Sequence, residues 1–170
     1  MLLSILAIFL ISLLAVFFYR KYRNIVVPVL SLFLLGVIAY FGMFLPPVLR
    51  GETIVEQVPW IGSLNIHFSF LLDGLSLFFA LLITVFGLLI LLYSSKYMED
   101  SAQRNRFISY LLFFLGSMLG VVLSANLISL FVFWELTSFS SFLLIGYKHQ
   151  KKESRRAARQ ALLVTAGGGL

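Results

Sequence analysis

Long apolar runs alternate with short charged clusters along almost the whole chain. Five runs, Leu2–Phe18, Ile25–Leu45, Asp73–Tyr93, Phe107–Leu123 and Leu127–Ile145, are each long enough to span most or all of a hydrocarbon core of ~30 Å at ~1.5 Å of helix per residue. A sixth opens at Ala161 and reaches Leu170, about 15 Å or half a bilayer. The pattern predicts an all-α polytopic membrane protein with five transmembrane helices and the start of a sixth. Pro28 is tolerated in the first turn of the second helix, and Pro46-Pro47 close it. Pro46–His67 is the longest polar connection, with room for short strand-like pieces such as Leu64–Phe68, and Trp60 suits an interface. Ser124-Ala125-Asn126 reads as a tight turn, and Gly146–Gln160 as a basic loop.

Composition agrees: 61% of the residues are hydrophobic, only 12% are charged, and mean hydropathy is +1.02. A soluble domain of this length could not hide that much apolar surface, so lipid is the solvent for most of it. The long runs show no strand alternation, which argues against an outer-membrane barrel. The net charge of +6 could suggest nucleic acid. The basic residues, however, lie beside membrane segments, where they set orientation, and no nucleic-acid partner is expected. Loop by loop, Lys and Arg number three, one, three, none and six, so the positive loops alternate. The first, third and fifth loops are then cytoplasmic and the N-terminus faces outside. The first run lacks a basic leader and a small-residue cleavage site, so it reads as a retained helix rather than a removed signal. With a sixth run of only half length, the chain is expected to be a piece of something longer. There is no Cys, and His67 and His149 are far apart, so Cys-ligated clusters, a Cys/His metal site and a cofactor are not expected.

Glu135 is the leading candidate for chemistry. It lies roughly 12 Å from the Leu127 end of its apolar run, and no other charge falls within the segment. A carboxylate at that depth costs ~3 kcal/mol on insertion scales, so it implies a partner or a pathway. Protonation removes the cost and a nearby cation restores the charge, so such a group can load and release a proton as its partner moves. Lys148 is about 20 Å farther along, and no other helix offers a buried Lys or Arg, so the partner is expected outside this stretch. Ser138, three positions on, shares the Glu135 face and could extend a polar path, although small polar residues in lipid more often serve helix packing. Asp73, just before the third helix, reads first as an N-cap and second as a group near an outer ion entrance. Arg155, Arg156, Arg159 and the nearby lysines read as an orientation signal, with anionic lipid as the minor alternative. Gly167-Gly168-Gly169 lacks the Lys-Ser/Thr of a phosphate loop and suits close helix packing. His67 and His149 fall in predicted loops and receive no role.

The segments Phe70–Tyr93, Ser124–Tyr147 and Arg155–Leu170, with Phe133-Trp134-Glu135-Leu136-Thr137-Ser138 and the ending Gly167-Gly168-Gly169, resemble a known family. It is the antiporter-like family shared by multisubunit cation/proton antiporters and respiratory complex I, and the likeness is greatest to the A subunits of Mrp-type Na⁺/H⁺ antiporters. The resemblance covers nearly the whole chain, although the first two helices are generic. It implies inverted five-helix repeats, of which this chain holds the beginning. Residues 1–68 would carry two N-terminal helices and an external loop, and residues 69–170 the start of the proton-translocating domain. It also implies that Glu135 matches the family glutamate paired with a lysine on a later helix. The implied function is a subunit of a hetero-oligomeric antiporter in the bacterial cytoplasmic membrane, exchanging cytoplasmic Na⁺ for external H⁺, a secondary transporter rather than an enzyme. The alternative is a proton-pumping subunit of an NADH:quinone oxidoreductase, which shares this part of the fold.

Overall fold

A computed structural model describes the backbone of residues 1–18, 23–61, 66–98, 101–148 and 150–169, with side chains excepted at 16–18, 23, 24, 61, 66, 101 and 102. Among these residues the order is α1 (Leu2–Phe18), α2 (Arg23–Gly42), α3 (Leu45–Leu49), β1 (Ile54–Ile61), β2 (Ile66–Leu72), α4 (Gly74–Tyr97), α5 (Ser101–Leu123), α6 (Leu127–Ile145) and α7 (Lys152–Gly169). Among the described residues four helical stretches are long and apolar enough to cross a membrane: 25–49, 74–97, 103–123 and 127–145; α1 is a shorter apolar helix. The chain is a multi-pass, mostly helical membrane protein.

The expectation of an all-α chain is corrected by the hairpin. β1 and β2 pair antiparallel from Ile54–Leu72 to Ile61–Ile66, with an irregularity between Pro59 and Ile61. His67 therefore lies in a strand, not a loop, while Leu64 and His149 fall outside the described residues. Most of the Tyr19–Arg23 basic cluster falls outside them too. β1 alternates in the manner of a half-covered strand, with Ile54, Glu56 and Val58 partly covered and Val55, Gln57 and Pro59 exposed.

Helix boundaries also differ. The backbone passes through Pro28, five residues beyond the start of α2, although proline cannot donate to the carbonyl four residues back. Pro46-Pro47 do not close α2; they sit in the first turn of α3, where their missing N–H groups leave no bond unmade. α7 begins at Lys152, nine residues before the apolar stretch that announces it, because Lys, Glu, Arg and Ala are strong helix formers and the basic segment continues the helix into water.

Helix α5 is the hub. It packs on α1, α4 and α6, while α2 packs on α4 and α7 on α6. Leu112, Leu119 and Leu123 of α5 are fully buried, with Ile5 and Ile8 of α1, Leu77 and Leu91 of α4, and Phe133 of α6 in the same core. Glycines set the helix separations. A Cβ on Gly120 would run into the Phe133 ring, one on Gly87 into Leu115, and one on Gly116 would lie 3.0 Å from Phe9. Outward faces keep Leu13, Leu32, Phe86 and Leu89 exposed, which suits lipid or neighbouring helices.

Candidate functional site

Helix α6 is held at its start by several hydrogen bonds. Asn126 caps it: Oδ1 accepts from the Ser129 backbone N–H (2.7 Å), and Nδ2 donates to the His67 carbonyl (2.7 Å) and Ser69 Oγ (3.2 Å). The Ser69 N–H donates to Ser129 Oγ (3.2 Å), and the Ala125 N–H donates to the Ser69 carbonyl (2.8 Å). Phe70 forms a bridge to Ser124. The hairpin is thus fastened to the α5–α6 turn, and this fixes the end from which Glu135 is measured.

Glu135 lies near the middle of α6, partly covered, with Oε1 buried and without a hydrogen-bond partner among the described residues. The end of α7 closes against it. A Cβ on Gly169 would sit 2.7 Å from Glu135 Oε1 and 3.1 Å from Trp134 Nε1. Among the described residues nothing lies within 4 Å of such a Cβ on Gly167 or Gly168, so within them close packing belongs to Gly169 and not to the other two.

The hydroxyls after Glu135 turn inward on their own helix. Ser138, only 6% exposed, donates to the Trp134 carbonyl at 3.3 Å, Thr137 donates to the same oxygen at 2.7 Å, and Ser140 donates to the Thr137 carbonyl at 3.0 Å. Ser138 keeps acceptor capacity on its oxygen. Among the described residues no hydrogen bond joins it to Glu135.

Asp73 forms a complete capping box. Its Oδ1 accepts from the Ser76 N–H (2.8 Å) and hydroxyl (2.9 Å), while the Asp73 N–H donates to Ser76 Oγ (2.8 Å). The Ser76 backbone N–H, then its hydroxyl, hold the Asp73 carboxyl below its ordinary range. A hollow of ≈ 300 Å³ beside it is shared with Ser124 and Phe79. No hydrogen bond joins Asp73 to Glu135 or Ser138 among the described residues.

The expectation that no other helix offers a buried cation is corrected by the structure. Arg104 is 4% exposed in α5, donating to the Ser95 carbonyl (2.9 Å) and the Met98 carbonyl (3.1 Å) at the end of α4. It falls inside a predicted loop because the α5 helix starts at Ser101, before the apolar run. Arg104 is 19 residues from Leu123 and Glu135 eight from Leu127, so the two are separated by roughly 16 Å along antiparallel helices. Glu135 makes no ion pair among the described residues. The described acidic groups and His67 form no cluster of three that could hold a metal.

Residues 58–108 match the family described as NADH-ubiquinone oxidoreductase (complex I), chain 5 N-terminus. Residues 124–170, which include Glu135 and Gly169, match the family described as NADH:quinone oxidoreductase/Mrp antiporter, transmembrane. The A subunit of the Na⁺/H⁺ antiporter of Alkalihalophilus pseudofirmus is 45% identical over 163 residues, covering 95% of this chain and 20% of that protein. The A1 subunit of the Na⁺/H⁺ antiporter of Staphylococcus haemolyticus is 48% identical over 131 residues, covering 77% of this chain and 16% of that one. Among solved structures, a chain of the Mrp complex from Dietzia sp. DQ12-45-1b superposes with a TM-score of 0.86 at 28% identity, covering 99% of this chain and 18% of that chain. An archaeal membrane-bound sulfane sulfur reductase shares the fold at a TM-score of 0.73 and 22% identity, covering 95% of this chain and 25% of that one. The chain spans about a fifth or less of the antiporter subunits it matches.

Proposed function

Starting from a chain homologous to the N-terminal part of Mrp-type antiporter A subunits, and so a member of the antiporter-like family shared with complex I, we propose that it supplies the opening segment of a proton path in a multisubunit cation/proton antiporter. In this reading the complex exchanges cytoplasmic Na⁺ for external H⁺. Residues 1–68 hold the N-terminal helices and most of the external hairpin, and residues 69–170, from within β2 onward, begin the translocating domain. Helix α1 counts as a fifth span and α7 as the start of a sixth.

The observation that carries the reading is Glu135: mid-span, with a buried carboxyl oxygen that no described residue satisfies. A group in this position takes a proton as a neutral acid and gives it up when a cation from a later helix approaches. Ser138, on the same helix face, offers an acceptor oxygen to a water or to the protonated acid. Asp73 stands at the outer end of α4, where a path would open. Orientation follows the same scheme. The Met1 amine bonds Glu56 Oε2 (2.6 Å) and Tyr40 (3.2 Å), so the N-terminus, the hairpin and the α5–α6 turn share one end. That end carries few Lys or Arg, which makes it the outer one in this reading.

Inside-out vesicles carrying the complete complex test the proposal through Na⁺-dependent dissipation of a proton gradient. Glu135→Gln is expected to abolish exchange while every partner subunit is still recovered. Full exchange in that variant would leave Glu135 a structural carboxyl and remove the proposed path. The complex I description matched by residues 58–108 favours one second reading, a redox-driven pump. Exchange by the purified complex with no electron donor present would exclude it.

A further inference from the structure

At the end of the bundle opposite the hairpin, a groove of ≈ 340 Å³ opens between α5, α6 and α7. That volume lies in the range of small-molecule sites, roughly 300–1,000 Å³. Phe142 and Leu143, in the last turn of the α6 span, form an apolar wall, and among the other lining residues are two tyrosines, Tyr110 and Tyr147, and three arginines: Arg106 from α5, and Arg155 and Arg159 from α7. Arg155 and Arg159 are four residues apart and so share one helix face. The α7 helix is seated firmly beside them. Ala158 is 2% exposed, and a Cβ on Gly146 would lie 3.3 Å from the Ala158 Cβ.

An orientation signal needs only a sufficient number of positive charges in a loop. It does not need cations from two separate helices to converge on one apolar concavity. Lys151, Lys152 and Arg156 belong to the same basic segment and do not line the groove. The groove cations are all arginine, whose planar fork matches phosphate oxygens in a way that an ammonium group does not. The site also straddles the boundary where a span ends and a charged helix begins, the depth of a lipid headgroup.

We propose that this groove binds an anionic phospholipid, with its phosphodiester among Arg106, Arg155 and Arg159 and its acyl chains along Phe142 and Leu143. The site is independent of Glu135 and of the ion exchanged.

The test uses the complete complex, delipidated in detergent and titrated with phosphatidylglycerol, with phosphatidylcholine as the zwitterionic comparison. Bound lipid is counted by native mass spectrometry. Arg106→Gln, Arg155→Gln and Arg159→Gln together are expected to weaken phosphatidylglycerol binding by about tenfold or more, since three charge-assisted contacts are lost. Lys151→Gln, Lys152→Gln and Arg156→Gln remove the same charge and should weaken it less than about twofold, as a diffuse surface field allows. Equal weakening in the two variants, or none in the groove variant, would overturn the proposal, and so would displacement by equimolar inorganic phosphate. If the groove variant does not assemble, a photoactivatable phosphatidylglycerol on the wild-type complex decides the matter. Crosslinks to the peptide holding Phe142 and Leu143 support the site. Their absence means that another part of the protein covers the groove, and the proposal fails.

Discussion

Glu135 is legible in the sequence because a single carboxylate in an unbroken apolar run is costly wherever the run packs. What touches it is not legible there. Gly169 belongs to a run of three equivalent glycines, and only the packing of α7 on α6 distinguishes it from Gly167 and Gly168. A methyl group at Gly169 must shift the Glu135 carboxyl, the far end of a flexible side chain, which costs little stability but moves the group on which the proposed path depends. Gly169→Ala is therefore expected to slow exchange by about fivefold while Gly168→Ala leaves it unchanged, both read in the vesicle assay. Asp73 gives a second prediction. Removing its cap with Asp73→Ala should destabilise the protein by about 1 kcal/mol at neutral pH. The carboxyl is held below its ordinary range by Ser76, so this stabilisation is complete above the unfolded value of about 3.9 and is lost as pH falls through the lower folded value. Melting curves of wild type and Asp73→Ala should therefore converge on acidification below about pH 4.

At the scale of elements, the apolar run and the α6 helix have the same limits, Leu127–Ile145, because polar Ser124-Ala125-Asn126 and Gly146 bracket the run. Helices α5 and α7 extend beyond their apolar runs for one shared reason. Hydropathy marks where a helix enters lipid, not where its backbone hydrogen bonding begins, and Ser101–Arg106 and Lys152–Gln160 are helical outside the apolar stretch. The hairpin escapes the sequence as a unit because its strands are joined through residues that look like an ordinary polar connection. Asn126 serves as cap and clamp together, so Asn126→Ala should cost about 2 kcal/mol, more than a cap alone. Asn126→Asp keeps the acceptor but loses both donors, and its melting temperature should fall between those of wild type and Asn126→Ala. Gly120→Val would force the Phe133 ring out of the α5–α6 contact, at a cost of about 1–3 kcal/mol, seen as reduced recovery of assembled protein.

For the whole molecule, the contacts of the structure define two ends of the bundle, and the described basic residues named above lie mostly at one of them. The hairpin end holds Met1, Glu56 and Asn126, and the opposite end holds Arg104, Arg106 and the basic start of α7. These 170 residues contain no cysteine, so a single cysteine placed among them is their one maleimide target, read against the unsubstituted protein as background. In intact cells, a cysteine at Glu52 should react with an impermeant maleimide, and one at Lys151 should react only after permeabilisation. The reverse pattern would invert the orientation proposed here.

That the chain lives in lipid, where most of its spans lie, and that Glu135 is anomalous all follow from the order of residues, because the transfer cost of side chains acts one segment at a time. Four features come from tertiary contacts instead: the hairpin clamps α6, Arg104 is buried far from Glu135, Gly169 closes on the carboxyl, and three arginines face one groove. Each of these joins residues on different elements. Their meeting depends on helix rotation and separation, which close contacts such as Gly120 against Phe133 set and which an apolar–polar pattern does not encode.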